Sequence, residues 1–441
     1  MNDTLFELPS PRTPSPQPEV KREPRVQRPN RGQVELRPVD LEGLLPPDHR
    51  ARIVWEFVEG LDLAPLYAEI KAVEGHAGRP PIDPAILMAL WLYATVEGVG
   101  SARVVARLCD EHDAYRWLCG GVSVNYHTLA DFRVQHVGYL DGALTTSVAT
   151  LMAEGLVTLT RVAQDGVRVR ANAGAASFRR GPRLEACLAE AEAQVAALRQ
   201  ELHDDPAATT RRQAAARQRA TDERRQRVAK ALEHVPDVAA KKKATEREQA
   251  RASTTDPEAR VMKMADGGFR PAFNGQFATE TATQIIVGVD ASNCGSDLGQ
   301  LAPMVEQLQD RYGRAPAELL VDGGFVKHDD IIAVARPEVG CTVYAPVPAP
   351  RDPARDPYQP CPGDPEAIAQ WRQRMGTEAA KTIYKERAAT SECVNGIARN
   401  RGLQRLVVRG LAKVRAVFLW FALAHNLMRG VALRQAARGI V

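Results

Sequence analysis

Asp165 and Asp322 are the residues of this 441-residue chain best placed by type and setting to do chemistry. Asp165 lies in Leu156-Val-Thr-Leu-Thr-Arg-Val-Ala-Gln-Asp-Gly-Val-Arg-Val-Arg-Ala171, whose β-branched residues and two-fold alternation predict a strand. Asp322 closes the short apolar run Glu318-Leu-Leu-Val-Asp322 just before two glycines. A carboxylate inside an apolar strand is costly to bury unless it is paired or metal-bound. The carboxyl end of a parallel strand is also where α/β sheets place their sites. A third carboxylate is offered by Tyr384-Lys-Glu-Arg-Ala-Ala-Thr-Ser-Glu-Cys-Val-Asn-Gly-Ile-Ala-Arg-Asn-Arg-Gly-Leu403, which reads mostly as helix. Within it Glu386, between Lys385 and Arg387, reads as ordinary surface, whereas Glu392 has small neighbours and is the candidate to face inward. Glu392 and Arg399 are seven residues apart, two helical turns, and share a face.

Three carboxylates converging without an opposing lysine repel one another unless divalent cations sit among them. Oxygen ligands without a His/Cys cluster select Mg²⁺ or Mn²⁺ over zinc. Two such ions, roughly 3.5–4 Å apart, activate a water or a 3′-hydroxyl and stabilise the leaving oxygen of a phosphodiester. Competing carboxylates are Asp290 at the end of another strand, Asp266 before Gly267-Gly268, and Asp329-Asp330. Asp290 is the strongest rival, and spacing alone does not reject it.

The elements that must position these groups follow from periodicity and punctuation. Residues 1–38 form a Pro/Arg-rich tail expected to be disordered, because it lacks the apolar surface to offset its ordering entropy. Residues 39–155 are helical in pattern, with starts after Pro46-Pro47-Asp48 and at Pro80–Pro84, and with Ser101 as a candidate N-cap. Gly120-Gly121 then breaks the chain before His127-Thr-Leu-Ala-Asp-Phe-Arg133. Two short helices across such a break fit either a helix-turn-helix reader exposing His127, Thr128, Asp131 and Arg133 or an ordinary small bundle. In 177–252, Leu184, Leu188, Ala191, Val195, Leu198 and Leu202 make a coiled-coil-like seam, and a basic helix follows from Arg211 to Lys230. This predicts a helical hairpin inserted into a sheet domain made of 156–176 and 253–441. In the latter, Gln276–Glu280 and Gln284–Asp290 form a hairpin, Asp297–Tyr312 a helix, 318–322 a strand, 328–335 a helix and 341–345 a strand. The loop Pro346–Pro365 precedes a closing helix from Ala379. The fold class is therefore α/β, a mixed sheet flanked by helices and interrupted by a helical insertion.

Composition is that of an ordinary soluble protein, 44% hydrophobic and 25% charged. The net charge of +4 is unevenly placed: Arg211–Arg251 carries 13 Lys/Arg against 6 Asp/Glu, and Lys385–Arg434 carries 10 against 2. Such patches suit a polyanion partner, although a solvated charged face is the simpler reading. Seven scattered cysteines argue against a disulfide framework and a zinc site. The apolar run Val417–Met428 reads as a core helix, and a cytoplasmic location is expected.

The chain resembles the DDE transposases of bacterial insertion sequences, which have an RNase H-like catalytic domain. Tyr126–Arg133 is similar to part of their helical N-terminal domain. Val162-Ala-Gln-Asp165-Gly and Leu319-Leu-Val-Asp322-Gly-Gly-Phe resemble their two aspartate strands. Tyr384, Arg387, Glu392 and Arg399 resemble the tyrosine–arginine–glutamate–lysine signature, with Arg399 in the lysine position. The resemblance implies an enzyme whose Asp165, Asp322 and Glu392 hold two Mg²⁺ (or Mn²⁺) ions. It would cleave double-stranded DNA at terminal inverted repeats and join the 3′ ends to target DNA, acting as a homodimer or larger assembly. Tyr384, Arg387 and Arg399 would position phosphates, and Arg401, Arg405, His127 and Arg133 would contact DNA. The alternatives are a non-catalytic repressor derived from such an enzyme and a metal-dependent nuclease without strand transfer.

Overall fold

The chain commits to helix wherever proline or a side-chain cap opens an apolar run. The computed structural model describes Gly32, Val34 and residues 40–72, 80–205, 210–350 and 352–439, so the tail 1–38 lies almost wholly outside the described residues. Seven helices come first: α1 (Arg50–Glu59), α2 (Ala64–Ala68), α3 (Pro84–Val96), α4 (Ala102–Glu111), α5 (Asp113–Cys119), α6 (Tyr126–Gln135) and α7 (Val137–Ala153). The Asp83 carboxylate caps α3 by accepting from the Ala85 amide, and Pro84 sits in the first turn. Ser101 stands at the N-cap of α4 without making a side-chain cap bond, whereas Asn125 caps α6 on two amides.

The sheet begins with β1 (Arg161–Arg170), five residues later than the alternation suggests. Leu159 takes a left-handed φ of 54°, and the Thr158 and Leu159 amides are captured by the buried carboxylate of Glu280. That turn uses up the residues that would have extended the strand. The short β2 (Phe178–Arg179) then leads into α8 (Gly181–Asp204) and α9 (Arg211–Glu233). These two pack as the expected hairpin, with Leu184, Ala191, Val195 and Leu198 buried along the seam. Pro236 opens the short α10 (Val235–Ala240), and β3 (Ala252–Ser253) pairs with β2 to close the insertion.

The remaining elements are β4 (Arg260–Lys263), β5 (Phe269–Glu280), β6 (Ile286–Ser292), α11 (Leu301–Tyr312), β7 (Glu318–Leu320), α12 (His328–Ala335), β8 (Thr342–Tyr344), α13 (Glu366–Met375), α14 (Glu378–Asn400) and α15 (Leu411–Ala437). Helix α11 starts at Leu301 rather than Asp297, because Gly299 turns the chain with φ 81°. Helix α13 lies in a stretch where the sequence signals only the loop before it.

Strands run β6–β5–β1–β7–β8 across the sheet, with β4 also on β5; β6, β5 and β1 are antiparallel neighbours, and β1, β7 and β8 are parallel. This mixed order with flanking helices is the RNase H-like arrangement. Helix α15 packs against α3, α6, α7 and β6, joining the N-terminal helices to the sheet. Among the described residues it is the one helix long and apolar enough to cross a membrane. Here 72% of its apolar window is buried within the fold, so it serves as a core helix.

Candidate active site

Parallel pairing fixes the two aspartates relative to each other. Arg161, Val162 and Ala163 of β1 stand opposite Glu318, Leu319 and Leu320 of β7, and the same offset carried two residues further puts Asp165 opposite Asp322. Both therefore lie where these neighbouring strands run toward their carboxyl ends. The Asp322 side chain accepts from the Gly324 amide at 2.8 Å, which sets it as the cap of a turn over Gly323–Phe325. Asp165 accepts from the Gly166 amide at 3.0 Å and, through its other oxygen, from Asn395 Nδ2 at 2.8 Å.

One cation serves both acids. Arg387 Nη2 lies 3.3 Å from Asp165 Oδ1 and 3.5 Å from Asp322 Oδ2. Burial pushes the Asp165 carboxyl above its ordinary range, with Arg387 opposing and the negative charge of Asp322 adding to the rise. Tyr384 is half-buried one turn before Arg387, and burial raises its hydroxyl. The pair thus has an opposing cation, which the reading of repelling acids did not foresee.

The third carboxylate is not in this cluster. Arg387 and Asn395 turn one face of α14 toward Asp165, and Glu392 is about 140° round the helix from Arg387. Its side chain is exposed and makes no ion pair with the described residues. Glu386, which read as surface, instead reaches β1 and pairs with Arg161 at 2.6 Å. Asp290 lies on β6, separated from β1 by β5, and pairs with Arg415 at 3.6 Å. Asp330 is buried against Lys327 at 3.2 Å, and Asp329 is exposed.

A carboxylate that the sequence reading passed over lies closer. Asp297, 8% exposed, accepts from Asn274 Nδ2 at 2.7 Å, Gln276 Nε2 at 2.6 Å and Arg168 at 3.3 Å. It is tucked against Gly166, and its charge contributes to raising Asp165. Only the neighbouring Gly299 hinted that Asp297 precedes the helix rather than opening it.

The donor chemistry of Asp165 and Asp322 suits a hard divalent cation, and the shared guanidinium shows that the pair holds one positive charge jointly. The full triad is not assembled: among the described residues no group of three His, Cys, Asp or Glu side chains is placed to hold a metal ion.

Beyond Gly166 opens a groove of about 540 Å³ lined by Gly166, Arg168, Arg170, Arg399 and Arg405, with Asp266 as its acid. Asp266 is itself engaged by Arg270 at 2.7 Å. Arg399 and Arg405, both expected to meet DNA, are exposed here; Arg168 and Arg170 were not singled out, although they alternate with Val167 and Val169 on the strand that carries Asp165. His127 is exposed on α6. Arg133 is a correction: it is 8% exposed, stacked over Trp91 and bonded to the Gly100 carbonyl, so it does not project from α6 as a base reader would. Arg401 is half-buried.

Residues 39–135 match a family described as Transposase domain (DUF772), and residues 364–431 match one described as Transposase DDE domain. The second match spans Arg387, Glu392, Asn395 and Arg399. No curated protein and no solved structure matches the chain.

Proposed function

Since the chain belongs to the DDE transposases of insertion sequences, we propose that it cleaves DNA at the ends of its own element and joins the 3′ ends to target DNA. The observation that carries this reading is that Asp165 on β1 and Asp322, two residues past the end of the parallel neighbour β7, share the guanidinium of Arg387. In this reading, residues 39–155 engage the duplex, 177–252 form an accessory basic arm, and 156–176 with 253–441 do the chemistry.

DDE transposases generally use divalent metal ions. Asp165 and Asp322 would hold the ion, which we take to be Mg²⁺ or Mn²⁺, two ions being the full complement. Glu392 is the third ligand of the proposal; it is exposed and makes no ion pair among the described residues, and it lies on the same helix as Arg387 and Asn395, which already touch Asp165. Such ions supply an activated water or 3′-hydroxyl and stabilise the leaving oxygen. The chain's own residues do the rest. The Asn395 amide orients Asp165 through Oδ2. Arg387 sets one positive charge between the two aspartates, and its fork-shaped guanidinium is a donor suited to a phosphate. Arg168, Arg170, Arg399 and Arg405 line a groove beside Gly166 that suits a DNA backbone.

An excision assay on a plasmid carrying the gene's own flanking DNA tests the assignment. Asp322→Asn and Glu392→Gln are expected to abolish excision, whereas Asp290→Asn, two strands away, should excise like wild type. Excision by Glu392→Gln would remove it as a ligand. A second reading, a repressor that binds without cutting, is favoured by the exposed Glu392 and the Arg387 clamp; end-binding by wild type without excision would establish it.

The groove makes its own prediction. Replacing Arg168 and Arg399 with alanine should weaken duplex binding most at low salt and reduce the salt slope by about one to two units, since fewer counterions are released. An unaltered slope would take the groove out of the DNA path.

A further inference from the structure

Away from the aspartates, a cavity of about 30 Å³ lies where the end of α14 meets the N-terminal helices and α15. Its polar lining is dominated by Arg133, Arg401 and Arg405, and no aspartate or glutamate lines it. None of the three arginines forms an ion pair with a described carboxylate. Arg133 is 8% exposed and its Nε has no partner; the Nη1 of Arg401 is likewise buried and unpartnered. Glu97, whose charge acts on Arg401, is engaged by Arg50 at 3.6 Å. Burial without a counter-charge pushes Arg133 down to about 10 and lowers Arg401, whose charge is further opposed by Arg50. Burial also takes the neighbouring His425 down to about 4, with Arg401 and Arg429 adding to the effect.

Buried cations that lack a counter-charge are costly, and natural folds compensate them with an anion or a carboxylate. The guanidinium fork is matched to tetrahedral oxyanions. The cavity exceeds the space one water needs and has room for about two oxygens of such an ion. We propose that it binds one phosphate group, held by Arg133 and Arg401 with the exposed Arg405 beside them. The site is separate from the aspartate pair. Its occupancy would tie the end of α14, the helix that carries Arg387 and Asn395, to the helices that precede the sheet. The contact is already close there: a Cβ on Gly402 would lie 2.9 Å from the Gly98 carbonyl oxygen.

The full chain should show a thermal midpoint several degrees higher in inorganic phosphate than in chloride at matched pH and ionic strength, saturating with phosphate. Arg401→Gln, at a half-buried position that tolerates a polar side chain, should remove that rise. The ³¹P resonance of free phosphate should broaden with wild type and not with Arg401→Gln, which gives a readout independent of stability. A duplex arm separates two sources of the group. If a DNA backbone phosphate is the occupant, saturating inorganic phosphate competes with duplex binding and Arg401→Gln lowers the salt slope by about one unit. If the occupant is a free ion, that slope is unchanged and the phosphate-dependent rise persists with DNA bound. A wild type indifferent to phosphate by both measurements, with an unaltered slope in Arg401→Gln, overturns the proposal. So does a rise and a broadening that survive in Arg401→Gln.

Discussion

Asp165→Asn is expected to reduce DNA cleavage by on the order of a thousandfold or more while leaving the protein folded and at least as stable as wild type. The two halves of this result have different causes. Activity falls because the amide removes the charge that Asp165 contributes jointly with Asp322. Stability does not fall, because burial, the largest influence on Asp165, raises its carboxyl above the usual range. A folded-state value above the unfolded one means that the native protein favours the protonated, neutral form. The carboxylate therefore subtracts stability as pH rises through the unfolded and then the folded value, and at neutral pH the full loss is in place. Asparagine is neutral at every pH and keeps an acceptor for Asn395 Nδ2. Its unfolding midpoint, measured without divalent metal, should match or exceed wild type at pH 7 and converge with it as pH falls toward the carboxylate range. A destabilised Asp165→Asn at neutral pH would mean that the Arg387 pair outweighs burial and that Asp165 is chiefly structural.

How much of this site the sequence discloses depends on how local each determinant is. The strand bearing Asp165 and the short strand before Asp322 were legible because alternation and flanking glycines are local signals, whereas their parallel register is visible only in the fold. The hairpin of β5 and β6 and the α8–α9 hairpin were legible for the same reason. The rotation of α14 about its axis was not. Small neighbours made Glu392 look inward, but the phase is set by long-range contacts of Arg387 and Asn395 with β1, and Glu392, about 140° from Arg387 and about 60° from Asn395, is left exposed beside that face. Arg133 failed in the opposite sense. Residues 126–135 show almost no amphipathic pattern, and only the arrival of α3 and α15 from distant sequence buries Arg133 between Trp91 and the Gly100 carbonyl. Asp297 was hidden because its partners, Arg168, Asn274 and Gln276, come from two other strands.

That last cluster gives the second large effect, at Gly166. A Cβ built there would lie 2.3 Å from Asp297 Oδ1 and 2.9 Å from both Asn274 Oδ1 and Gln276 Nε2. All three residues are buried and bonded to one another, so none is the free end of a flexible side chain that can swing aside. Gly166→Ala must therefore push Asp297 from two amide donors or shift β1 itself. Overpacking of this kind costs about 1–3 kcal/mol, and leaving a buried carboxylate short of donors adds to that. Because Gly166 donates its amide to Asp165, a displaced β1 also moves the aspartate, so cleavage should fall together with stability. Gly396 supplies the contrast. It sits in α14 next to Asn395, nothing lies within 4 Å of its Cβ position, and Gly396→Ala should stabilise the helix by about 0.5–1 kcal/mol. Denaturant midpoints of the two variants are expected to move in opposite directions. A Gly166→Ala protein as stable and active as wild type would show that the Asp297 network yields without disturbing Asp165, and that β1 is not held in place from that side.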